Sequence, residues 1–301
     1  MSLEIRPVGP FDLSLTLAFL SGFGPTRGEQ DVGVNEVTKA FIVGGRAVAV
    51  RARGLGEPDG PRLSIQVFAD RALDQTEAKE ARSRIEDLLT TSQDLAPFYA
   101  QAAEDTAYAP LVPRFCGLHH VRFASAFEAA CWGVINQRIG LTVARRMKDA
   151  LVRRAGSSIT VDGVEHWAFP EPRSVLEVGE RELGRLVPGG HRAAALMALA
   201  RAFSEASASF LNQAPIADVR AWLRAIHGVG PFTSSFVLYR GLGRFDGVAV
   251  VSPTLVAAAE RQYGRSLGSG GVARVAERYG EWGGLWMLYL WASTFVPPKA
   301  S

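Results

Sequence analysis

The spacing of apolar residues changes character once along this chain. Up to about residue 110 the strongest signals have a period of two. Thr38–Val43 and Arg46–Arg51 are β-rich runs on either side of Gly44-Gly45, which predicts a hairpin. Arg62–Phe68 alternates apolar and polar residues, which predicts a third strand with one wet face. Leu3-Glu4-Ile5-Arg6-Pro7-Val8 is a short strand candidate. Phe11–Phe19 is apolar enough for a helix or a strand, and period does not separate the two. From Glu77 to Leu89, Ile85, Leu88 and Leu89 stand among charges, which predicts an amphipathic helix covering the sheet. Residues 1–110 therefore read as an α+β N-terminal domain, an antiparallel sheet with helices. It reads as a scaffold without a reactive centre.

Residues 111–301 read as helical. Ala109–Val121 is linker-like, with Pro110, Pro113 and Gly117. His119-His120 stand side by side there without a completing carboxylate or Cys pair, and read as surface or phosphate-contacting residues. Ser125 and Glu128 have the spacing of a capping box. Phe127, Ala130, Cys131, Val134 and Ile135 form the buried stripe of the helix that follows. Asn136-Gln137-Arg138 ends it, and Leu141, Val143, Ala144, Met147 and Leu151 begin the next buried face. Such a polar corner is either a solvated turn or a wedge that enters a duplex and fills the space of a displaced base. Glu165–Pro172 reads as irregular, Ser174–Leu186 and Arg192–Phe203 as helices, and Ser204–Pro215 as a polar connection.

The most informative stretch is Asp218–Leu255. Asp218 is an N-cap candidate, with Val219, Trp222, Leu223 and Ile226 on one face. His227-Gly228-Val229-Gly230 breaks that helix, and Pro231 suits the first turn of another. A hairpin with two glycines leaves amides uncovered beside a helix N-terminus, which is the makeup of an anion site. The alternative is an ordinary tight turn. Farther on, Ser252-Pro253 has the pattern of an N-cap followed by N1. The last element, Tyr279–Phe295, carries Trp282, Trp286, Tyr289 and Trp291.

Composition narrows the setting. The chain has 301 residues, 48% of them hydrophobic, and a net charge of +3. That charge is too small to name a partner. Its distribution is more telling: from Leu111 to Thr160, eight Lys/Arg (Arg114, Arg122, Arg138, Arg145, Arg146, Lys148, Arg153, Arg154) face two acids. Such a stripe suits a polyanion or a solvated helix face. Cys116 and Cys131 offer neither a disulfide framework nor a four-Cys site. With no leader pattern and no apolar run of membrane length, the expected compartment is the cytoplasm.

Taken in order, the capping-box helix with Asn136-Gln137-Arg138, Gly189-Gly190-His191-Arg192-Ala193, Ile226–Thr233, Gly241–Asp246 and Glu281-Trp282 to Trp291 resemble the helix-hairpin-helix DNA glycosylases. The nearest branch is similar to the bacterial 3-methyladenine DNA glycosylase II enzymes. That resemblance implies an all-α helix-hairpin-helix bundle in two halves after the α+β domain. It also implies a monomer that binds double-stranded DNA, flips a damaged, alkylated purine and hydrolyses its glycosidic bond in base excision repair. The DNA-binding positions implied are Gln137, Arg138, Arg145, Arg146, His227, Gly228, Gly230 and Thr233. Main-chain carbonyls of Arg224, Ile226 and Val229 would hold a monovalent cation, Na⁺ or K⁺. Phe232, Phe236 and Trp282 would line the base pocket, where ring faces suit an electron-poor base.

The sequence also departs from that family. Arg138 stands where the similar branch has an apolar wedge, and Phe232 and Phe236 replace Trp and Tyr. The bifunctional branch places a Schiff-base Lys where this chain has Phe232, so that lyase route is excluded. The four-Cys iron–sulfur cluster is absent. The family's catalytic Asp falls on Ser252, and no carboxylate stands between Asp246 and Glu260. A hydroxyl cannot supply the negative charge, and losing such a preorganised group costs on the order of 10²–10³ in rate. Asp246 is the nearest remaining acid. A non-catalytic damaged-DNA binder is the alternative reading.

Overall fold

The computed structural model describes residues 2–55, 60–245 and 251–297. Its first part is built on a five-stranded antiparallel sheet. The strands are β1 (Ser2–Ile5), β2 (Asp31–Val32), β3 (Glu36–Val43), β4 (Arg46–Leu55) and β5 (Arg62–Phe68), in the order β1-β5-β4-β3-β2. β3 and β4 pair in register from Glu36↔Arg53 to Val43↔Arg46 around Gly44 and Gly45, both at positive φ. Phe41, opposite Val48, and Val37, opposite Ala52, share one face. That face belongs to the main core with Ile85 and Leu88 of α2 (Gln75–Leu89). The ambiguous run after Phe11 is helix α1 (Leu13–Gly22), capped by Asp12.

The chain then runs through α3 (Ala96–Glu104), α4 (Leu111–Phe115), α5 (Ala126–Ile135) and α6 (Leu141–Ala155). Here the structure corrects the expectation for Glu165–Pro172. β6 (Ser157–Val161) and β7 (Val164–Ala168) form a second hairpin, which packs on the other face of the first sheet. Its Ala168 joins Ala40 and Ala47 in a small cluster of their own. The pattern missed it because His166, Trp167 and the short strands carry no long apolar alternation. The expected helix over Ser174–Leu186 is two, α7 (Pro172–Val178) and α8 (Glu180–Leu186), divided at Gly179 with φ 77°. α9 (His191–Glu205), α10 (Ala208–Gln213), α11 (Ile216–Ala225), α12 (Pro231–Phe236), α13 (Pro253–Tyr263), α14 (Gly268–Arg278) and α15 (Gly283–Ala292) complete the bundle. Asp218 lies in the first turn of α11, whose N-cap is Pro215. One buried cluster runs from Ile5 to Val296.

Three expectations about ionisable groups are overturned by burial. Ser125 caps α5 through the Glu128 amide, but the Glu128 side chain does not reach back to complete a capping box. It is fully buried and accepts from Lys148 Nζ at 2.6 Å. Lys148 is therefore no part of a solvated basic stripe. It is 1% exposed and also lies 2.6 Å from Glu29 of the N-terminal part. Its ammonium sits near the rings of Phe123, Trp132 and Phe169, so it is satisfied electrostatically on several sides. His119 and His120 are likewise buried rather than on the surface. The His119 ring nitrogens lie 2.9 Å from Thr90 O and 3.0 Å from Pro10 O.

The attraction of Lys148 holds the Glu128 carboxyl down to about 2 against the cost of its burial. A depressed carboxylate contributes stability that is present above its unfolded value, 4.5, and is lost as pH falls through the folded one. Glu128→Gln should destabilise the fold by about 3–5 kcal/mol at pH 7, since it leaves a buried ammonium short of a partner. Urea unfolding should show that gap narrowing between pH 4.5 and about 2.

Candidate functional site

The hairpin is set by local sequence. α11 stops at Ala225, and Ile226 and Val229 turn inward while His227 stays exposed. The Val229 amide donates to Ile226 O at 3.1 Å, closing the turn. Gly228 has φ 85°, and a Cβ there would lie 2.4 Å from Ala195 Cβ on α9. Glycine is needed at that position for both conformation and space. Gly230 has neither constraint: no atom lies within 4 Å of a Cβ built there. Pro231 opens α12, whose Thr233 is buried and donates to Gly133 O of α5 at 3.3 Å. Thr233 thus locks the two helices together instead of facing outward with the hairpin.

The polar corner after α5 meets this hairpin directly. Gln137 Nε2 donates to Gly228 O at 3.0 Å, and Gln137 Oε1 lies 3.1 Å from His191 Nε2. Beneath it, buried Arg192 donates to Ile135 O at 3.1 Å, to Pro188 O at 3.0 Å and to Gln137 O. Arg138 is exposed and held at φ 55°. A left-handed non-glycine residue costs about 1–3 kcal/mol and collects at functional sites.

Behind the corner lies a cavity of about 370 Å³. Gln137, Arg138, Phe232, Phe236 and Ser252 all line it. Phe232 is 53% exposed and stacks on Phe236, with centroids 6.2 Å apart and planes at 16°. Trp282 does not line the cavity; it is half-buried in the turn before α15. Its expected place is taken by Trp291, one helix later, and by Trp132 of α5. The N-terminal part supplies Phe23 and Pro25, so the region read as pure scaffold forms a wall. Sequence reading missed Tyr239 and Arg240 as well. They lie in a π-helical turn, Val237–Gly241, whose wider winding presents neighbouring residues to one side and recurs at functional sites.

Ser252 caps α13: its Oγ accepts from the Leu255 amide at 3.2 Å. Asp246 lies outside the described residues. Arg145 and Arg146 do not line the cavity. With Arg27, Lys39 and Arg153 they border a separate, larger groove, and Arg145 donates to Arg27 O at 3.0 Å. Arg153 and Arg154 are paired with Asp149 and Glu182. The exposed basic positions are thus fewer than the sequence suggests. No group of three or more His, Cys, Asp or Glu among the described residues is arranged to hold a metal ion, and none of their helices is long and apolar enough to cross a membrane.

No family model matches the chain. A curated relative, the DNA-3-methyladenine glycosylase of Bacillus subtilis (strain 168), is 26% identical over 294 residues, 93% of each chain. The solved 3-methyladenine DNA-glycosylase from Archaeoglobus fulgidus superposes with a TM-score of 0.81 at 21% identity, over 97% of this chain and 99% of that one. The chain has the fold of the helix-hairpin-helix DNA glycosylases. A second member of that fold, the Clostridium acetobutylicum 8-oxoguanine glycosylase/lyase in complex with dsDNA, gives a TM-score of 0.72 at 16% identity, over 98% of this chain and 97% of that one. In glycosylase terms, the α11–α12 pair is the helix-hairpin-helix, and the cavity lies behind it.

Two substitutions separate the hairpin's backbone from its packing. Gly228→Ala should lower the melting temperature and weaken binding to all duplex sequences alike, because phosphate contacts carry no sequence information. Gly230→Ala should leave stability within about 0.5 kcal/mol, the ordinary range for a change without steric conflict. At the corner, Arg138→Gly should keep or raise stability, by up to about 1 kcal/mol, while weakening duplex binding in a gel-shift titration.

Proposed function

We propose that this protein is a monofunctional DNA N-glycosylase of base excision repair. It binds duplex DNA as a monomer, turns a damaged purine into the aromatic cavity and hydrolyses the bond between base and sugar. One observation carries this reading. Gln137 hydrogen-bonds the hairpin at Gly228 O and, with Arg138, lines the same cavity as Phe232, Phe236 and Ser252. Backbone grip, wedge and base pocket are therefore one continuous structure. The hairpin amides of Gly228, Gly230 and Phe232 hold phosphate at the start of α12. Exposed Arg138 enters the duplex where the base has left. The stacked rings of Phe232 and Phe236 receive the flipped base. The names of the relatives favour alkylated purines.

A monovalent cation, Na⁺ or K⁺, on the carbonyls of Arg224, Ile226 and Val229 belongs to the same reading. The donor set is neutral oxygen, which suits such an ion. The bond from the Val229 amide to Ile226 O draws two of the three residues into one turn. When bound, the ion adds positive charge next to a DNA phosphate.

A second reading has its own observation. The Ser252 hydroxyl is engaged as a helix cap, and the position holds no negative charge. The protein would then recognise damage without releasing the base.

The two readings separate on duplexes carrying 3-methyladenine, 7-methylguanine, hypoxanthine or ethenoadenine. Release by the wild-type protein supports the glycosylase. Binding without release, with activity gained in Ser252→Asp, supports the second reading. No binding at low salt removes both. Ser252→Asp should keep the cap, whereas Ser252→Ala should cost about 1 kcal/mol of stability.

A further inference from the structure

The segment from Phe23 to Asp31 and the stretch from Arg138 to Arg153 line two hollows in succession. Phe23, Pro25 and Arg138 line the aromatic cavity. Arg27, Thr142, Arg145 and Arg146 line the larger groove, of about 650 Å³. Between the two hollows the seam is closed: a Cβ built at Gly24 would lie 2.6 Å from Leu141 Cδ2. Just beyond, Arg145 Nη2 donates to Arg27 O at 3.0 Å across the same seam. The groove therefore begins where the cavity wall ends, and both parts of the chain build it.

Charge is divided along this groove. Two of its acids are paired: Glu29 lies against Lys39 and Lys148, and Asp149 pairs with Arg153. The other two stand at one end, where Arg153 lies over the Trp167 ring: Glu165 accepts from Ser158, and Asp31 is near His166. The end next to the cavity holds Arg27, Arg145 and Arg146. None of these three has a carboxylate partner among the described residues, and Arg27 and Arg146 are exposed. α6 also starts at this end, on Gly140 without a side-chain cap, so its dipole adds to the same positive field. Arginines that serve only the fold take carboxylates here, as Arg153 and Arg154 do. Like charges left together repel one another until an anion enters among them, and a concave wall concentrates their field on it. The position of the groove says which anion. A duplex with a base in the cavity carries its backbone past the cavity mouth, one charge per strand about every 3.4 Å. From Leu141 to Arg146 the helix rises about 7.5 Å, so the three arginines lie within about two base-pair steps of that mouth.

We propose that the cavity-side end of this groove is a second phosphate seat, in which Arg27 of the N-terminal part joins Arg145 and Arg146 of α6 to hold the backbone of one duplex arm beside the damaged base. The inference rests on the duplex-binding half of the reading above and adds a part of the chain which that reading leaves out. The N-terminal part grips DNA as well as walling the cavity. The hairpin and this seat are separate grips, and the corner at Arg138 lies between them.

The test is a salt titration of binding with the full chain, read by fluorescence anisotropy. The probes are a duplex carrying one central hypoxanthine and two shorter ones, each cut back on one arm to the lesion's immediate neighbour. The logarithm of the binding constant falls with the logarithm of salt by about 0.9 for each phosphate neutralised. Arg27→Gln and Arg146→Gln should each lower that slope by about 0.9, and weaken binding on the order of tenfold at about 0.1 M salt. Their melting temperatures should match the wild type, because the side chains removed are exposed. Arg27→Lys should keep the wild-type slope. So should Arg154→Gln, a change of the same charge at a residue paired with Glu182. On the duplex that lacks the arm held by the groove, Arg27→Gln should change nothing; on the other trimmed duplex its effect should remain. An unchanged slope in Arg27→Gln, the same effect on both trimmed duplexes, or an equal loss in Arg154→Gln overturns the proposal. If the wild type binds the duplex but releases no base, the glycosylase reading fails and the slopes still decide the seat. If it binds no duplex at low salt, both fail.

Discussion

The site depends on the reach of one buried guanidinium. Arg192 stands on the first turn of α9 and ties three segments together. These are the end of α5 at Ile135, the corner at Gln137 and the loop at Pro188. Its planar fork of donors suits this role, because several carbonyls can be held at once in fixed directions. Fixing the corner fixes Gln137, and Gln137 holds the hairpin at Gly228. The spacing between the corner and the hairpin is thereby set by hydrogen bonds to main chain, which substitution of surface residues does not disturb. Buried Thr233, against Gly133, fixes the other side of the same joint.

A second buried cation plays the matching role between the two parts of the chain. Lys148 on α6 lies against Glu128 on α5 and Glu29 from the segment before β2. The N-terminal part is thus docked by charge as well as by the continuous apolar core. Docking has a functional result, since Phe23 and Pro25 belong to the segment that Glu29 anchors and both line the cavity. Arg240 then completes the picture from the opposite side, with Phe23 4.2 Å from its guanidinium. These three buried cations are surrounded differently: Arg192 by main-chain carbonyls, Lys148 by carboxylates and Arg240 chiefly by ring faces.

What could be read from sequence follows from what is local. The hairpin was legible at Gly228-Val229-Gly230-Pro231 because turn geometry is written in glycine and proline. β3, β4 and β5 were legible because alternation reflects a face, and the Ser252 cap because a cap lies next to its helix. Burial of polar groups was not legible. Nothing near Lys148 or His120 marks either as internal, because each is enclosed by segments distant in sequence. Glu128 shows the same limit from another side. Its spacing from Ser125 is right for a box, but a buried lysine twenty residues on is the stronger partner. Phe232 and Phe236 line the cavity and Trp282 does not. The two phenylalanines follow the hairpin at fixed offsets, whereas the choice between Trp282 and Trp291 depends on how α15 is rotated in the bundle.

The cavity's walls come from opposite ends of the chain, Phe23 and Pro25 from one and Met287 and Trp291 from the other. The wall is therefore complete only when the whole fold is. Whatever occupies that space binds the native state and not its partly folded forms, so occupancy and global stability are thermodynamically linked. A ligand at a hundred times its dissociation constant would add about 2.7 kcal/mol to the free energy of unfolding. An occupant of the cavity would in that way act on this protein as a stabilising ligand, and the amount of folded protein would rise with the concentration of that ligand.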